Sequence, residues 1–240
     1  METKTVKASL VDKIQEGPAV KRFSFKTDQD FSYKAGQWGF FEFEKSGKKF
    51  SKPLSFCNCP STGTLECTTL ISDSEYKQAL DAMNLGDSIE IRGPFGNFTL
   101  DSLKKDKLCF LAGGIGITPF MSMLQYAQNT KMSLDAVLFY SNRTRDRIVF
   151  EAELAAMAQK MPKLKVIHTL TDLSPEEKAQ WKGETGYISA AMIKKHMSDY
   201  SERHFFMVGP PPFNKAIREM LSGELGIDNT LITAEQFAGY

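Results

Sequence analysis

Three glycines within four positions, Gly113-Gly114-Ile115-Gly116, stand between an apolar run at 108–112 and the pair Thr118-Pro119. Glycine lets a backbone turn sharply and approach a ligand with no Cβ in the way, and a helix start offers unpaired N–H groups and a positive dipole end to an anion. Pro119 suits a first helical turn, where its missing N–H costs nothing. The segment reads as a phosphate cradle, with a dinucleotide pyrophosphate as its natural guest and Gly113, Gly114, Gly116 and Thr118 as the contact residues. Its spacing is not the common Gly-x-Gly-x-x-Gly, because Thr118-Pro119 follows where that pattern has a third glycine. Taken alone, it can also be read as a strand-to-helix turn whose glycines serve packing.

Other chemistry-bearing residues are sparse. Cys57-x-Cys59 would share a face on a strand, but no second close pair or histidine lies nearby, so no metal site is expected. The three histidines, His168, His196 and His204, have no ligand-like spacing. Four cysteines in a chain of 240 residues fit reduced thiols better than a disulfide framework. Thirty basic residues against twenty-nine acidic ones create no global field, which argues against nucleic acid or a membrane surface as a partner. With no signal-like apolar core at the start and no run of about 18 apolar residues, a soluble, cytoplasmic protein is expected.

The cradle needs elements to hold it. Short strands separated by turns fill the first hundred residues, at 20–25, 39–44, 65–70 and 87–91, with a hairpin turn at 45–49. One helix interrupts them at 75–83, with Ser74 able to cap it. This is the pattern of an antiparallel β-barrel or sandwich. Beyond about Lys107 strands alternate with helices: strands at 108–112, 136–140, 165–169 and 204–208, helices near 119–129, 147–160, 190–196 and 213–221. The expected architecture is therefore a β-barrel unit over 1–102 followed by an α/β unit over 103–240, a parallel sheet with helices on both faces, joined at the polar stretch 100–106.

Five ordered motifs, Lys52-Pro53-Leu54-Ser55, Gly93-Pro94-Phe95-Gly96-Asn97-Phe98, the glycine turn, Gly209-Pro210-Pro211 and Glu235-Gln236-Phe237-Ala238-Gly239-Tyr240, together resemble the ferredoxin–NADP reductase superfamily across nearly the whole chain. The resemblance implies an FAD-binding barrel ahead of an NAD(P)-binding domain. It places Lys52 on a flavin phosphate, Pro53 and Leu54 against the ring system and Ser55 near the reactive flavin N5. The sequence departs from the family there, with lysine for arginine and leucine for the stacking aromatic, so a point charge replaces a bidentate fork. By the same resemblance Thr69, Leu70 and Ile71 give the flavin backbone contacts, and Ser74 and Lys77 meet its diphosphate. The Gly93-Pro94 turn packs beside the flavin.

The segment Tyr140-Ser141-Asn142-Arg143 closes the second strand of the α/β unit with no acid for the ribose hydroxyls, and Ser141 and Arg143 there suit a 2′-phosphate. NADPH is favoured, with NADH possible, and a solvated arginine loop is the other reading. Gly209 and Pro210 match the family's strand end under the nicotinamide, although Val208 replaces its cysteine and Phe213 its methionine. Glu235 resembles the carboxylate held near the serine, and Tyr240 the aromatic ring over the flavin, a gate that nicotinamide must displace. A fraying tail is the plain alternative for Tyr240. With Ser55, Glu235 and Tyr240 as catalytic residues, the resemblance implies an oxidoreductase that takes hydride from NADPH into FAD and passes single electrons to a ferredoxin or flavodoxin. A diaphorase-type NAD(P)H:flavin reductase, or an electron-transfer subunit of a multicomponent oxygenase or dehydrogenase, stays open beside it.

Overall fold

The computed structural model of the chain describes residues 2–103 and 107–236. They divide into two compact units, one made of the chain up to Ser102 together with Thr118–Asn129, the other of the rest. The first contains β1 (Lys4–Gly17), β2 (Val20–Thr27), β3 (Trp38–Lys45), β4 (Lys48–Ser55), β5 (Leu65–Leu70), α1 (Glu75–Asp81), β6 (Ser88–Phe95) and α2 (Thr118–Asn129). Its six strands form one antiparallel sheet in the order β4-β3-β6-β1-β2-β5. Alternation builds the core: Val6, Ala8 and Leu10 of β1 are buried while Thr5, Lys7, Ser9 and Val11 between and beside them are exposed or half-exposed, and Phe23, Phe25, Phe41, Phe56, Tyr76 and Leu80 complete the same cluster.

The β3–β4 hairpin turns on Ser46 and Gly47, with φ of 52° and 75°. Positive φ at both central residues is what a two-residue hairpin requires to match strand twist. The first helix is shorter than expected. It ends at Asp81 because Lys13 Nζ donates to the carbonyls of Asp81 (2.7 Å) and Met83 (3.0 Å), satisfying groups that a further turn would have used. Ser74 occupies the N-cap position but makes no side-chain capping bond. The last strand runs on past Ile91 through Gly93-Pro94-Phe95, since β1 and β3 both continue to pair with it.

The second unit contains β7 (Lys107–Gly113), β8 (Asp135–Asn142), α3 (Glu151–Lys160), β9 (Leu164–Leu170), α4 (Pro175–Gln180), β10 (Glu184–Thr185), α5 (Ala190–His196), β11 (His204–Gly209), α6 (Pro211–Glu219) and β12 (Ile232–Gln236). All its strand pairs are parallel, in the order β10-β9-β8-β7-β11-β12. The five long strands thus run 3-2-1-4-5, the doubly wound arrangement whose order reverses between β7 and β11. Central strands read as unbroken apolar runs because both faces are covered. Cys109 and Leu111 pack with Ile193 of α5 and Ile217 of α6, while Leu108 and Phe110 are buried on the opposite face.

Two helices differ from expectation. The segment at 147–160 is not one helix: Arg145–Arg147 forms a single 3-10 turn, Phe150 takes a left-handed φ of 60°, and α3 starts at Glu151. Ile148, Val149 and Phe150 are all buried. Three successive buried side chains do not fit one face of a surface helix. The helix α6 begins two residues early, on Pro211, and relaxes into a π turn at Met220–Glu224. Among the described residues no helix is long and apolar enough to cross a membrane.

Candidate functional site

The order reversal in the second unit is where the glycines fall. Val208 pairs with Ala112 and Ala112 with Tyr140, so Gly209, Gly113 and Ser141 come one residue later at the carboxyl ends of adjacent strands; Gly113 pairs with Ser141 directly. Ligands of open α/β sheets bind outside these strand ends. Each glycine has a local reason. A Cβ on Gly116 would lie 2.4 Å from the Val208 carbonyl oxygen, so the turn can lie against β11 only without one. A Cβ on Gly113 or Gly209 would meet the Phe213 ring at 3.0 and 2.4 Å. Gly114, with φ of +54°, faces open space, as a backbone that receives a ligand must. The chain passes through one 3-10 turn, Gly114–Ile117, before α2 begins at the buried Thr118. Pro210 is exposed and leads directly into α6.

Beside Ser141, the buried Nδ2 of Asn142 has no hydrogen-bond partner among the described residues. Arg143 is exposed, and it faces an acid: its guanidinium is 3.5 Å from the Asp172 carboxylate. The Asp172 amide donates to the Arg143 carbonyl (2.8 Å) and the Thr171 amide to that of Asn142 (3.0 Å), which ties the tips of β8 and β9 together. The reading that this strand end lacks an acid holds for β8 alone, because the carboxylate arrives from the chain after β9. Glu235 pairs with Val208 across β11 and β12. Its Oε2 is buried without a hydrogen-bond partner among the described residues, and burial pushes its carboxyl up to about 8. Asn214 Nδ2 donates to the Glu235 carbonyl at 2.9 Å, holding α6 to β12. Tyr240 lies outside the described residues.

In the first unit, β4 carries Lys52, Pro53, Leu54 and Ser55 opposite Phe41, Phe40, Gly39 and Trp38. The Ser55 Oγ is buried with no hydrogen-bond partner among the described residues. Lys77 reaches the same region from α1. Burial first, and then the Lys52 charge, hold its ammonium below the usual lysine range, so two candidate phosphate ligands lie within each other's field. An anion between them would relieve both effects. Thr69 and Leu70 pair with Lys21 and Val20, and the Ile71 amide donates to the Ala19 carbonyl at 2.6 Å. Ser74 precedes the two-turn α1. Ser55 belongs to one unit and Glu235 to the other.

These residues fit both cofactors. Lys52 and Lys77 are donors for a diphosphate, and the orphaned Ser55 hydroxyl awaits a polar partner. The close-packed glycines and the unpartnered Asn142 amide suit a pyrophosphate and its ribose. Asn142, Asp172 and Asn214 were not picked out in the sequence. Asn142 adjoins a candidate residue, whereas Asp172 becomes visible only once strand order places β9 beside β8.

Comparison with known proteins agrees with this arrangement. Residues 7–100 match the oxidoreductase FAD-binding domain and residues 110–219 the oxidoreductase NAD-binding domain. The glycine betaine monooxygenase reductase subunit of Chromohalobacter salexigens is 30% identical over 229 residues, covering 93% of this chain and 62% of that protein. NADH-cytochrome b5 reductase 1 of Mortierella alpina is 28% identical over 230 residues, 92% of this chain and 75% of its own length. The fold also matches the crystal structure of a ferredoxin NADP+ reductase from Neisseria gonorrhoeae, with a TM-score of 0.79 and 18% identity over 98% of this chain and 99% of that one. The chain thus carries an oxidoreductase FAD-binding domain on the antiparallel sheet, followed by an oxidoreductase NAD-binding domain on the doubly wound sheet. The chain belongs to the ferredoxin–NADP reductase superfamily. It spans about three fifths of the monooxygenase reductase subunits that it matches.

Proposed function

We propose that the chain is an FAD-dependent NAD(P)H oxidoreductase that delivers single electrons to a small redox protein such as a ferredoxin or flavodoxin. The observation that carries this reading is the meeting of Gly113, Gly209 and Ser141 at the order reversal of the second sheet, in a chain whose first unit matches an FAD-binding domain. When bound, the flavin supplies the change from a two-electron hydride donor to one-electron acceptors. Lys52 and Lys77 would neutralise its diphosphate, Leu54 would pack against its ring, and Ser55 Oγ would offer it a hydrogen bond. The turn at 113–117 would present backbone N–H groups to the pyrophosphate of the dinucleotide, with Gly114 open on its Cβ side, while Gly209 lets the Phe213 ring pack against its strand end. Glu235, neutral up to about pH 8, offers a protonated oxygen that can donate as well as accept.

With valine where the family has a cysteine, positioning replaces any thiol contribution. Ser141 and Arg143 favour NADPH, and Asp172 beside Arg143 lets NADH be accepted. Four buried free thiols suit a reducing, cytoplasmic setting. A second reading, a reductase component of an oxygenase, draws on the glycine betaine monooxygenase reductase subunit among the relatives. The test is an anaerobic spectrum of the purified chain: a flavin band bleached by NADPH or NADH is expected, and a chain with no flavin band, or one bleached by neither, overturns the proposal. Steady-state turnover with ferredoxin against free flavin separates the two kinds of acceptor.

A further inference from the structure

The helix α2 follows the glycine turn directly, yet its body packs within the first unit. Ser122 Oγ donates to the Asn58 carbonyl at 2.6 Å, with both residues buried. Gln125 Oε1 accepts from the Cys59 amide at 2.9 Å. Apolar contacts lie alongside: Phe120 meets Phe98 edge-on with centroids 5.6 Å apart, and Met123 Cε comes so close to Gly36 that a Cβ there would stand 2.5 Å from it.

Asn58 is the centre of this arrangement. Its carbonyl also accepts from Tyr33 Oη (2.8 Å), and its Oδ1 accepts from Tyr33 Oη (2.9 Å) and the Glu66 amide (3.0 Å). Its Nδ2 donates to Thr62 Oγ1 (2.6 Å) and the Thr64 carbonyl (2.7 Å). Asn58 comes three residues after Ser55 on the same segment.

We propose that Asn58, Ser122 and Gln125 are positioning residues that set the start of α2 relative to the strand carrying Lys52 and Ser55. Apolar packing alone is non-directional and lets a helix slide, whereas two hydrogen bonds to consecutive backbone groups fix its translation and rotation. Thr118 opens α2 one turn before Ser122, so whatever holds Ser122 also holds the first residue beyond the turn. Transfer between two bound groups is sensitive to misplacement on the scale of about 1 Å, with losses near 100-fold. The inference rests on the function proposed above, which assigns a cofactor to the strand carrying Lys52 and Ser55.

Ser122→Ala removes the Oγ that bonds both the Asn58 carbonyl and the Tyr33 hydroxyl, and leaves the Asn58 carbonyl within reach of Tyr33 Oη. Gln125→Ala is the second variant, and Gln125→Glu keeps an acceptor for the Cys59 amide. Amide exchange of the nucleotide-free chain should quicken about tenfold or more at 118–124 in both alanine variants and return towards the parent in Gln125→Glu. Anaerobic single-turnover bleaching at saturating nucleotide should slow about fivefold or more, while flavin content and the nucleotide half-saturation stay within about twofold of the parent. Unchanged bleaching rates in both alanine variants, whatever their stability, would reduce these residues to supports of the fold and overturn the inference. A parent chain bleached by neither nucleotide would instead remove the proposed function.

Discussion

Two carboxylates show how environment, not residue type, sets a role. Glu235 is half-buried with its Oε2 sealed from solvent and without a hydrogen-bond partner among the described residues, and burial pushes its carboxyl up to about 8 against an ordinary value of about 4.3. Between these values the folded chain keeps a proton that the unfolded chain has released. Its contribution to stability therefore falls as pH rises from about 4.5 to about 8 and levels off above that. Glu235→Gln should match the parent near pH 4.5 and be more stable by on the order of a few kcal/mol at pH 8.5 in urea unfolding of the flavin-free chain. Parallel pH profiles of parent and variant would show that the carboxyl is solvated after all. Asp172 is exposed, and its partner is a cation. Its charge competes with a 2′-phosphate for Arg143 and can accept from ribose hydroxyls. Asp172→Asn should tighten 2′,5′-ADP about 3–10-fold, the range of one charge-assisted contact, with ADP-ribose unchanged or weaker. Arg143→Ala should weaken 2′,5′-ADP far more than ADP-ribose. Calorimetric titration reads both, and equal effects on the two ligands would place neither residue at the 2′ position.

At the scale of elements, the glycine turn depends on a helix that follows another strand. The Phe213 ring, on the first turn of α6, fills the space where both Gly113 and Gly209 lack a Cβ. Gly209→Ala should therefore cost about 1–3 kcal/mol through overpacking, and a smaller side chain at 213 should restore part of it. A double-mutant cycle with Phe213→Leu, read by thermal unfolding, should show a coupling of about 1 kcal/mol or more; strict additivity would mean the ring is free to move aside. Four strands of the second sheet, β7, β8, β9 and β11, and the glycine turn were legible in the sequence because continuous apolar runs and close-spaced glycines are local signals, whereas the short β10 and the edge strand β12 carried none. Ser174 and Glu177, which cap α4 reciprocally, carried a similar local signal that went unread. Phe150 and Asp172 were not legible. The break ahead of α3 follows from burial of three successive side chains, and the Arg143–Asp172 pair from a strand order that no single segment encodes.

For the whole molecule, the division into units does not follow the chain. Thr118–Asn129 sits within the second half of the sequence but packs with the first unit, although the match to an oxidoreductase NAD-binding domain spans 110–219. A division by sequence alone, at 102/103, assigns this helix to the other side. The difference has a measurable consequence, because a ligand protects the amides of the elements that it orders. If flavin is held by Lys52, Ser55, Thr69 and Lys77, adding FAD to the flavin-free chain should slow exchange at 52–55 and 69–80. It should also slow exchange in the body of α2, through the Asn58 carbonyl and the Cys59 amide. Adding 2′,5′-ADP should slow exchange at 113–118, 141–143 and 209–214. The helix at 118–129 is then the one element expected to respond to both ligands, at its start to the nucleotide and along its body to the flavin. Protection of α2 by the nucleotide alone would return the helix to the unit that its sequence position suggests, and would separate the glycine turn from the flavin strand.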